Sequence, residues 1–139
     1  MLRDQELIFV ANLAREHVYA RDELLFEEGE VGDCLYVLTQ GEVELTLGRH
    51  TLATLSAFQF FGEMGVLEKS SRSATVRARG EVKLLSLSAE DLTTFRGAYP
   101  DGYLFMTQNL ARALSERLRA TNARWVQAME RLTALLPPP

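Results

Sequence analysis

The chain has 139 residues, of which 47% are hydrophobic and 24% are charged, with a formal net charge of −4 and a pI near 5.2. This composition is typical of one globular domain with enough apolar side chains for a core. The acidic balance argues against attraction of the whole chain to nucleic acid or to an anionic membrane. With one cysteine, Cys34, neither a disulfide nor a cysteine-based zinc or iron–sulfur site can form within one copy.

The start of the chain and its hydropathy pattern bear on its compartment. The first six residues carry too many charges for a signal peptide. No run of 18 apolar residues is present, so we expect no membrane span. We therefore expect a cytoplasmic protein.

The amino-terminal part predicts a short amphipathic helix from residue 4 to about residue 15. Its expected apolar face consists of Leu7, Ile8, Val10, Ala11 and Ala14.

From about residue 16 to residue 87 the pattern changes to short strands separated by turns. Strands are predicted at residues 24–26, 34–39, 43–47, 51–55, 74–78 and 82–87. Gln40-Gly41 and Gly48-Arg49 predict tight turns between neighbouring strands. We expect Phe58, Phe60 and Phe61 to lie in the core rather than to stack on a ligand. Strands of this length and spacing predict a sandwich, a barrel or a roll.

After residue 87 the spacing of the apolar residues becomes that of a helix. Ser88 and Asp91 form a capping box that opens a helix to about Arg96, which Gly97 ends. Pro100 begins a longer helix that continues to about Leu135.

The long helix carries an apolar seam with alternating spacings of three and four residues, which is a heptad pattern. Its members are Leu104, Thr107, Ala111, Leu114, Leu118, Thr121, Trp125, Ala128, Leu132 and Leu135. A second apolar stripe beside it becomes polar beyond Arg117. One face can pack on the β body and the other on a second copy, so we expect a homodimer. Its central contacts would be Leu114, Leu118, Thr121, Trp125 and Leu132. The alternative is one wide apolar face buried within the chain.

The candidate site lies in the segment FGEMGVL (residues 61–67), which is followed by RSATV (residues 72–76). This segment resembles the phosphate-binding cassette of the cyclic-nucleotide-binding domain family. The glycine-marked loop and strand of residues 26–38 and the hairpin of residues 41–43 are also similar to the family, in the same order. The resemblance implies a mainly β chain, an antiparallel β-roll (double-stranded β-helix, jelly-roll-like) with a short N-terminal helix and a long C-terminal dimerisation helix.

The implied organisation is one domain over residues 1–139. The N-terminal helix takes residues 1–15, the β-roll residues 16–87 and the C-terminal helices residues 88–136. Family members that bind DNA continue into a helix-turn-helix domain, and we expect no DNA-binding domain in this chain.

The residues suit a ribose cyclic phosphate on chemical grounds. A cyclic phosphodiester carries one negative charge, and the Arg72 guanidinium would supply a fork of donors to it. Gly62 lets the backbone approach closely, and the turn after it predicts a helix start whose free N–H groups attract anions. The Glu63 carboxylate suits the ribose 2′-hydroxyl, and the Ser73 hydroxyl can reach the phosphate or a base edge.

The resemblance extends these roles residue by residue. Ribose is assigned to Gly62 and Glu63, and phosphate to Arg72, Ser73 and Ala74. The remaining ligand-binding candidates of the cassette are Phe61 and Met64. On the long helix, Thr121 and Asn122 are candidates for contacts with the base, and Arg117 for an ion pair with Glu63 that couples ligand to helix.

We therefore expect a regulatory sensor domain that binds cyclic AMP and repositions its C-terminal helix for an unknown output partner or attached domain. Cyclic GMP is the alternative ligand, because a hydroxyl residue, Ser73, follows the cassette arginine. We expect no metal, no other cofactor, no enzymatic activity, and no direct contact with nucleic acid or membrane. A cupin-type enzyme is disfavoured because His17 and His50 are isolated.

Two other functions stay open from the sequence. One is a structural or dimerisation module that binds no ligand, since Phe58 stands where family members often carry glycine. The other is the effector domain of a truncated transcription regulator.

Overall fold

The computed structural model describes residues 2–68 and 71–138, except for the side chains of Met64, Leu67 and Glu68. These residues form eight strands and four helices in this order: α1 (Asp4–Leu13), β1 (Arg15–Tyr19), β2 (Leu24–Phe26), β3 (Cys34–Gln40), β4 (Val43–Leu47), β5 (His50–Leu55), β6 (Phe60–Phe61), α2 (Glu63–Glu68), β7 (Thr75–Ala78), β8 (Val82–Ser88), α3 (Ala89–Ala98) and α4 (Pro100–Ala134).

The strands form two antiparallel sheets of four, ordered β1-β8-β3-β6 and β2-β7-β4-β5. The hydrophobic core lies between them, because its buried members come from seven strands of both sheets. They are Phe26, Leu38, Val43, Leu55, Phe61, Val76, Ala78, Val82 and Leu84. The predicted antiparallel roll, with a short N-terminal and a long C-terminal helix, is confirmed.

Two strands were not predicted from the sequence. β1 follows α1 almost at once and pairs along β8 from Arg15 opposite Ser86 to Tyr19 opposite Val82. The helix therefore ends at Leu13 and the β region begins at Arg15, slightly earlier than expected. β6 has two residues and pairs with the middle of β3. This short pairing matters because it leads directly into the cassette.

The predicted apolar face of α1 is wrong in part. Leu7, Ile8 and Ala11 are exposed, whereas Val10 and Ala14 are half-buried and Glu6 is buried. The Glu6 carboxylate accepts the backbone N–H of Arg3 and so completes the first turn of the helix. Phe9 packs against the rings of Phe95 and Tyr99. Aromatic packing against α3, rather than the count of aliphatic residues, decides which side of α1 faces inward.

The capping box before α3 is confirmed. The Ser88 hydroxyl accepts the Asp91 N–H at 3.0 Å, and the Asp91 carboxylate accepts the Ser88 N–H at 2.9 Å. α4 has Pro100 in its first turn, as predicted. Within residues 2–68 and 71–138, no helix has the length and apolarity that crossing a bilayer requires.

The first half of α4 packs on the rest of the domain, and its second half projects beyond it. Three seam residues there are largely exposed: Leu118 at 60%, Trp125 at 66% and Leu132 at 53%. The helix is held to the β4–β5 hairpin by Arg124, which donates to the Leu52 carbonyl at 2.7 Å. The structure therefore does not bury the whole apolar face of α4 within one chain.

Phe58 is not a core residue, contrary to the prediction. It is 85% exposed, whereas Phe60 and Phe61 are buried. Its φ of 70° lies in the left-handed region, which the chain uses to reverse between β5 and β6. The Phe58 N–H donates to the Leu38 carbonyl at 2.7 Å, which holds the reversal against β3. The turn thus fixes the backbone, and the side chain is directed to solvent.

Phe58→Gly is expected to be more stable than Phe58→Ala by about 1 kcal/mol, because only glycine adopts this φ without a steric cost. Both variants remove the same exposed ring, so their difference isolates the backbone strain. Urea unfolding of the two proteins measures it. Equal midpoints would show that the turn carries no strain.

Candidate functional site

Arg72 is held in place by its own backbone. Its N–H donates to the Glu30 carbonyl at 2.7 Å, and its carbonyl accepts the Gly29 N–H at 2.9 Å. Val31 pairs with Ser71 in an isolated antiparallel bridge beside them. The glycine-marked loop between β2 and β3 therefore positions Arg72, which lies three residues before the start of β7.

The Arg72 side chain points into the domain and is 5% exposed. Its guanidinium carbon lies 4.4 Å from the centre of the Phe26 ring and 5.5 Å from that of Tyr36. Nη1 donates to the carbonyls of Gly62 at 3.1 Å and Cys34 at 3.3 Å. Aromatic faces and carbonyl oxygens together stabilise a cation that has left water.

Three glycines surround this guanidinium. A Cβ on Gly62 would lie 2.8 Å from the Cys34 oxygen and 3.0 Å from Arg72 Nη1, and one on Gly65 would lie 2.8 Å from the same nitrogen. A Cβ on Gly32 would overlap the guanidinium itself. Gly62 also has a φ of +82°. These glycines form a cradle (Gly32, Gly62 and Gly65) that only residues without a side chain can make.

A small cavity of about 40 Å³ opens beside the cradle. It is lined by Phe26, Leu45, Phe61, Gly62, Glu63, Gly65, Arg72, Ser73, Ala74, Val76 and Arg117. Most of the candidate residues of the cassette, together with Arg117, thus meet at one place. The enclosed space is well below the roughly 300 Å³ at which ligand pockets usually start, so a nucleotide needs the site to open further.

Glu63 is the first residue of α2 and faces α4. Its Oε1 lies 3.8 Å from Arg117 Nη1, which is the pairing considered from the sequence. Arg117 also donates from Nη2 to the Phe60 carbonyl at 2.8 Å, and its guanidinium carbon lies 4.9 Å from the centre of the Phe60 ring. One arginine therefore links the long helix to both the strand and the helix that flank Gly62.

Thr121 and Asn122 are exposed and do not line this cavity. The Thr121 hydroxyl donates to the Arg117 carbonyl at 3.0 Å and lies 3.4 Å from Arg124 Nη2. Within one copy of the chain these two residues are separate from the cassette. The predicted contribution of the Met64 side chain lies outside the described part of the chain.

Two ionisable side chains near Arg72, those of Tyr36 and Cys34, have pKa values shifted toward their neutral forms. Burial raises the pKa of Tyr36, with a further increase from Cys34, against the opposing effect of Arg72. Burial also raises the pKa of the Cys34 thiol, and so does Asp33, whose carboxylate accepts the S–H at 3.6 Å. A protonated thiol is a poor nucleophile, so Cys34 is not a reactive group here.

Sequence reasoning missed part of the lining. Phe26 and Leu45 are expected only in strands, and Gly65 and Val76 lie within the cassette segment without a predicted role. The apolar members are inward-facing residues of β2, β4 and β7. Alternation along the strands marks them as inward, but only the pairing of the strands shows which of them face the cassette.

The domain is an antiparallel roll in which the buried Arg72 lies beside the turn of Gly62 and Glu63. The family model described as the cyclic nucleotide-binding domain matches residues 16–99. The chain belongs to the cyclic nucleotide-binding domain family.

Individual relatives agree with this assignment. The chain is 32% identical over 123 residues to the cyclic AMP receptor protein of Thermus thermophilus, covering 85% of this chain and 55% of that protein. It is 35% identical over 95 residues to a cyclic nucleotide-gated potassium channel of Rhizobium etli, covering 68% and 26%. The chain thus spans about half of one relative and a quarter of the other.

The fold is also shared with solved structures. A cyclic nucleotide-binding domain from Methylobacillus flagellatus superimposes with a TM-score of 0.86 at 24% identity, covering 91% of this chain and 74% of that one. This similarity includes most of the described roll and helices.

Proposed function

We propose that this domain is a sensor that binds cyclic AMP through its phosphate at Arg72. The observation that carries the proposal is a buried guanidinium, enclosed by the glycine cradle, beside the cassette. The family assignment supplies the ligand class, and the kinship with a cyclic AMP receptor protein favours the adenine nucleotide.

On binding, the phosphate of the ligand would replace two carbonyl groups as the hydrogen-bond acceptor of Arg72. Arg72 donates to two neutral carbonyls, of Gly62 and Cys34. An anionic phosphate oxygen is a stronger acceptor, because charge-assisted hydrogen bonds are about twice as strong as neutral ones. The Phe26 and Tyr36 rings would hold the guanidinium in its present orientation while the acceptors change. The cavity then widens as the cassette and α4 separate around the ligand.

Glu63 would bind the ribose. Its carboxylate lies at the cavity and is not saturated by Arg117, since the two groups are 3.8 Å apart. A carboxylate can accept a hydrogen bond from the 2′-hydroxyl, and the 2′-deoxy analogue cannot make this bond.

We expect the wild-type domain to prefer cyclic AMP over 2′-deoxy cyclic AMP by about tenfold, the value of one hydrogen bond to a charged group. Glu63→Ala should abolish this preference, whereas Glu42→Ala, an exposed carboxylate outside the cavity, should keep it. Titration calorimetry with both nucleotides measures the ratio. A preference that survives in Glu63→Ala would assign the ribose to another residue.

The base would be read by Thr121 and Asn122. Both lie outside the cavity of their own chain, and Thr121 belongs to the exposed seam of α4. Contacts from the helix of a second copy therefore fit these positions better than contacts from the same chain. Cyclic GMP stays the alternative because Ser73 offers a hydroxyl at the cavity. Parallel titrations with cyclic AMP and cyclic GMP test the choice.

We also propose a homodimer through α4. Its seam would be centred on Leu114, Leu118, Thr121, Trp125 and Leu132, of which Leu118, Trp125 and Leu132 are more than half exposed. A parallel pair related by a twofold axis would bury this apolar surface. The ligand would act on the dimer through Arg117, which joins Glu63 to the helix.

Trp125→Glu is expected to give a monomer, because the twofold axis would place two carboxylates in an apolar seam. Ala123→Glu is the matched control, since position 123 is almost opposite the seam on the helix. Sedimentation velocity distinguishes the two. An unchanged dimer in Trp125→Glu, or equal dissociation in both variants, would argue against this interface.

A module that dimerises without binding a ligand is the second candidate. It is favoured by the cavity of about 40 Å³ and by the two carbonyls that already occupy Arg72. In that case no cyclic nucleotide would raise the melting temperature. For either candidate we propose a cytoplasmic, regulatory and non-catalytic role, with output through a partner or attached domain, as in the effector part of a transcription regulator.

A further inference from the structure

A second and larger cavity, of about 250 Å³, lies where α2, α3 and the first half of α4 meet. Its apolar lining includes Leu35, Leu92, Tyr103, Met106 and Leu110. Leu35 and Leu92 belong to the buried core, so the inner wall of this cavity is firmly packed. The cavity is distinct from the one beside Arg72, and Glu63 is the residue that lines both.

We propose that this second cavity is a binding site for a neutral aromatic compound about the size of indole. A cavity of about 150 Å³ with an aliphatic lining is known to take up benzene, so 250 Å³ has room for a bicyclic ring. The lining carries one carboxylate, Glu63, and one guanidinium, Arg96. The lining therefore has no net charge, so it attracts neither an anion nor a cation over a neutral ligand.

The polar groups of the lining favour a ligand with a hydrogen-bond donor. Thr93 and Thr107 both line the cavity. Their hydroxyls donate within the helices, to the carbonyls of Ala89 at 3.0 Å and Leu104 at 2.9 Å. Each hydroxyl oxygen therefore keeps lone pairs that can accept a hydrogen bond from a donor on the ligand. An indole N–H meets this requirement, and its ring fills the apolar part.

Two threonines on α3 provide a matched test. Thr93 lines the cavity and Thr94 does not, while both are exposed to solvent on one side and donate to the carbonyl four residues earlier. Thr93→Phe should fill the cavity and weaken indole binding at least about tenfold, whereas Thr94→Phe should leave it unchanged. Ala89→Leu, which enlarges another lining residue, is a second filling variant.

Calorimetric titration with indole is the measurement, and circular dichroism verifies that each variant is folded. Saturable binding to the wild type and to Thr94→Phe, together with its loss in a folded filling variant, supports the proposal. No saturable binding to the wild type up to the solubility of indole overturns it. Unchanged affinity in folded Thr93→Phe and Ala89→Leu also overturns it.

A variant of the first site separates the two cavities and does not rest on the proposed function. Indole should bind to a folded Arg72→Ala variant as it does to the wild type, because its site is not the one beside Arg72. Loss of indole binding in that variant would place indole in the first cavity and overturn the assignment. If cyclic AMP itself fails to bind, the proposed sensor function fails, while the comparison of Thr93→Phe with Thr94→Phe still decides the indole site.

Discussion

Arg72→Ala will lower the affinity for cyclic AMP by about 100-fold or more, because the phosphate loses at least two hydrogen bonds to a charged donor. The guanidinium is 5% exposed and stacked on Phe26. The other arginine of the lining, Arg117, is already engaged by Glu63 and by the Phe60 carbonyl. Arg72→Lys keeps the charge but not the planar fork and should recover only part of the affinity.

The measurement is ligand-induced thermal stabilisation. At 100 times Kd, a ligand adds about 2.7 kcal/mol to the stability of the wild type, which is a shift of roughly 10 °C for a domain of this size. Arg77→Ala is the control, since Arg77 is exposed and donates to the Asp22 carbonyl away from the cavity. A full shift in Arg72→Ala would mean that the phosphate binds elsewhere.

Gly62→Ala will lower the free energy of unfolding by about 3 kcal/mol and abolish ligand binding. The left-handed backbone contributes about 1–2 kcal/mol of that loss. The remainder comes from the new methyl group, which would lie 2.8 Å from the Cys34 oxygen and 3.0 Å from Arg72 Nη1. The guanidinium must then move from its two carbonyl acceptors, and the cassette loses its cation.

Gly48→Ala separates the two contributions. Gly48 has a φ of +60°, but a Cβ there would meet nothing within 4 Å. It should therefore show the backbone cost alone, about 1–2 kcal/mol, and bind the ligand normally. Denaturant unfolding with a parallel titration gives both quantities. If the two variants lose the same stability and both still bind, the cradle has no special role.

Local patterns in the sequence predicted much of the secondary structure. Ser88 and Asp91 mark the start of α3, and Pro100 marks that of α4, because capping and proline effects act within a few residues. The strand β1 escaped detection because Arg15, Glu16 and His17 interrupt its apolar pattern. That strand is held instead by five paired residues of β8, which only the tertiary structure supplies.

The structure brings together residues that the sequence singled out by their resemblance to the family's cassette. Gly62, Glu63 and, nine residues further on, Arg72 line one cavity. The stacking of Arg72 on Phe26 and Tyr36 joins three separate segments, so no local pattern shows it. The exposure of Phe58 was missed for a different reason, since hydrophobicity does not report the sign of φ.

The two arginines that hold α4 bind main-chain oxygens of the roll, at Phe60 and Leu52. Arg117 and Arg124 are seven residues apart, so they lie about 10 Å from each other along one side of a stiff rod. Because α4 is held at these two points, a tilt that displaces Arg117 also strains the contact that Arg124 makes. The two contacts, with the carbonyls of Phe60 and Leu52, are therefore expected to break together when the helix is displaced.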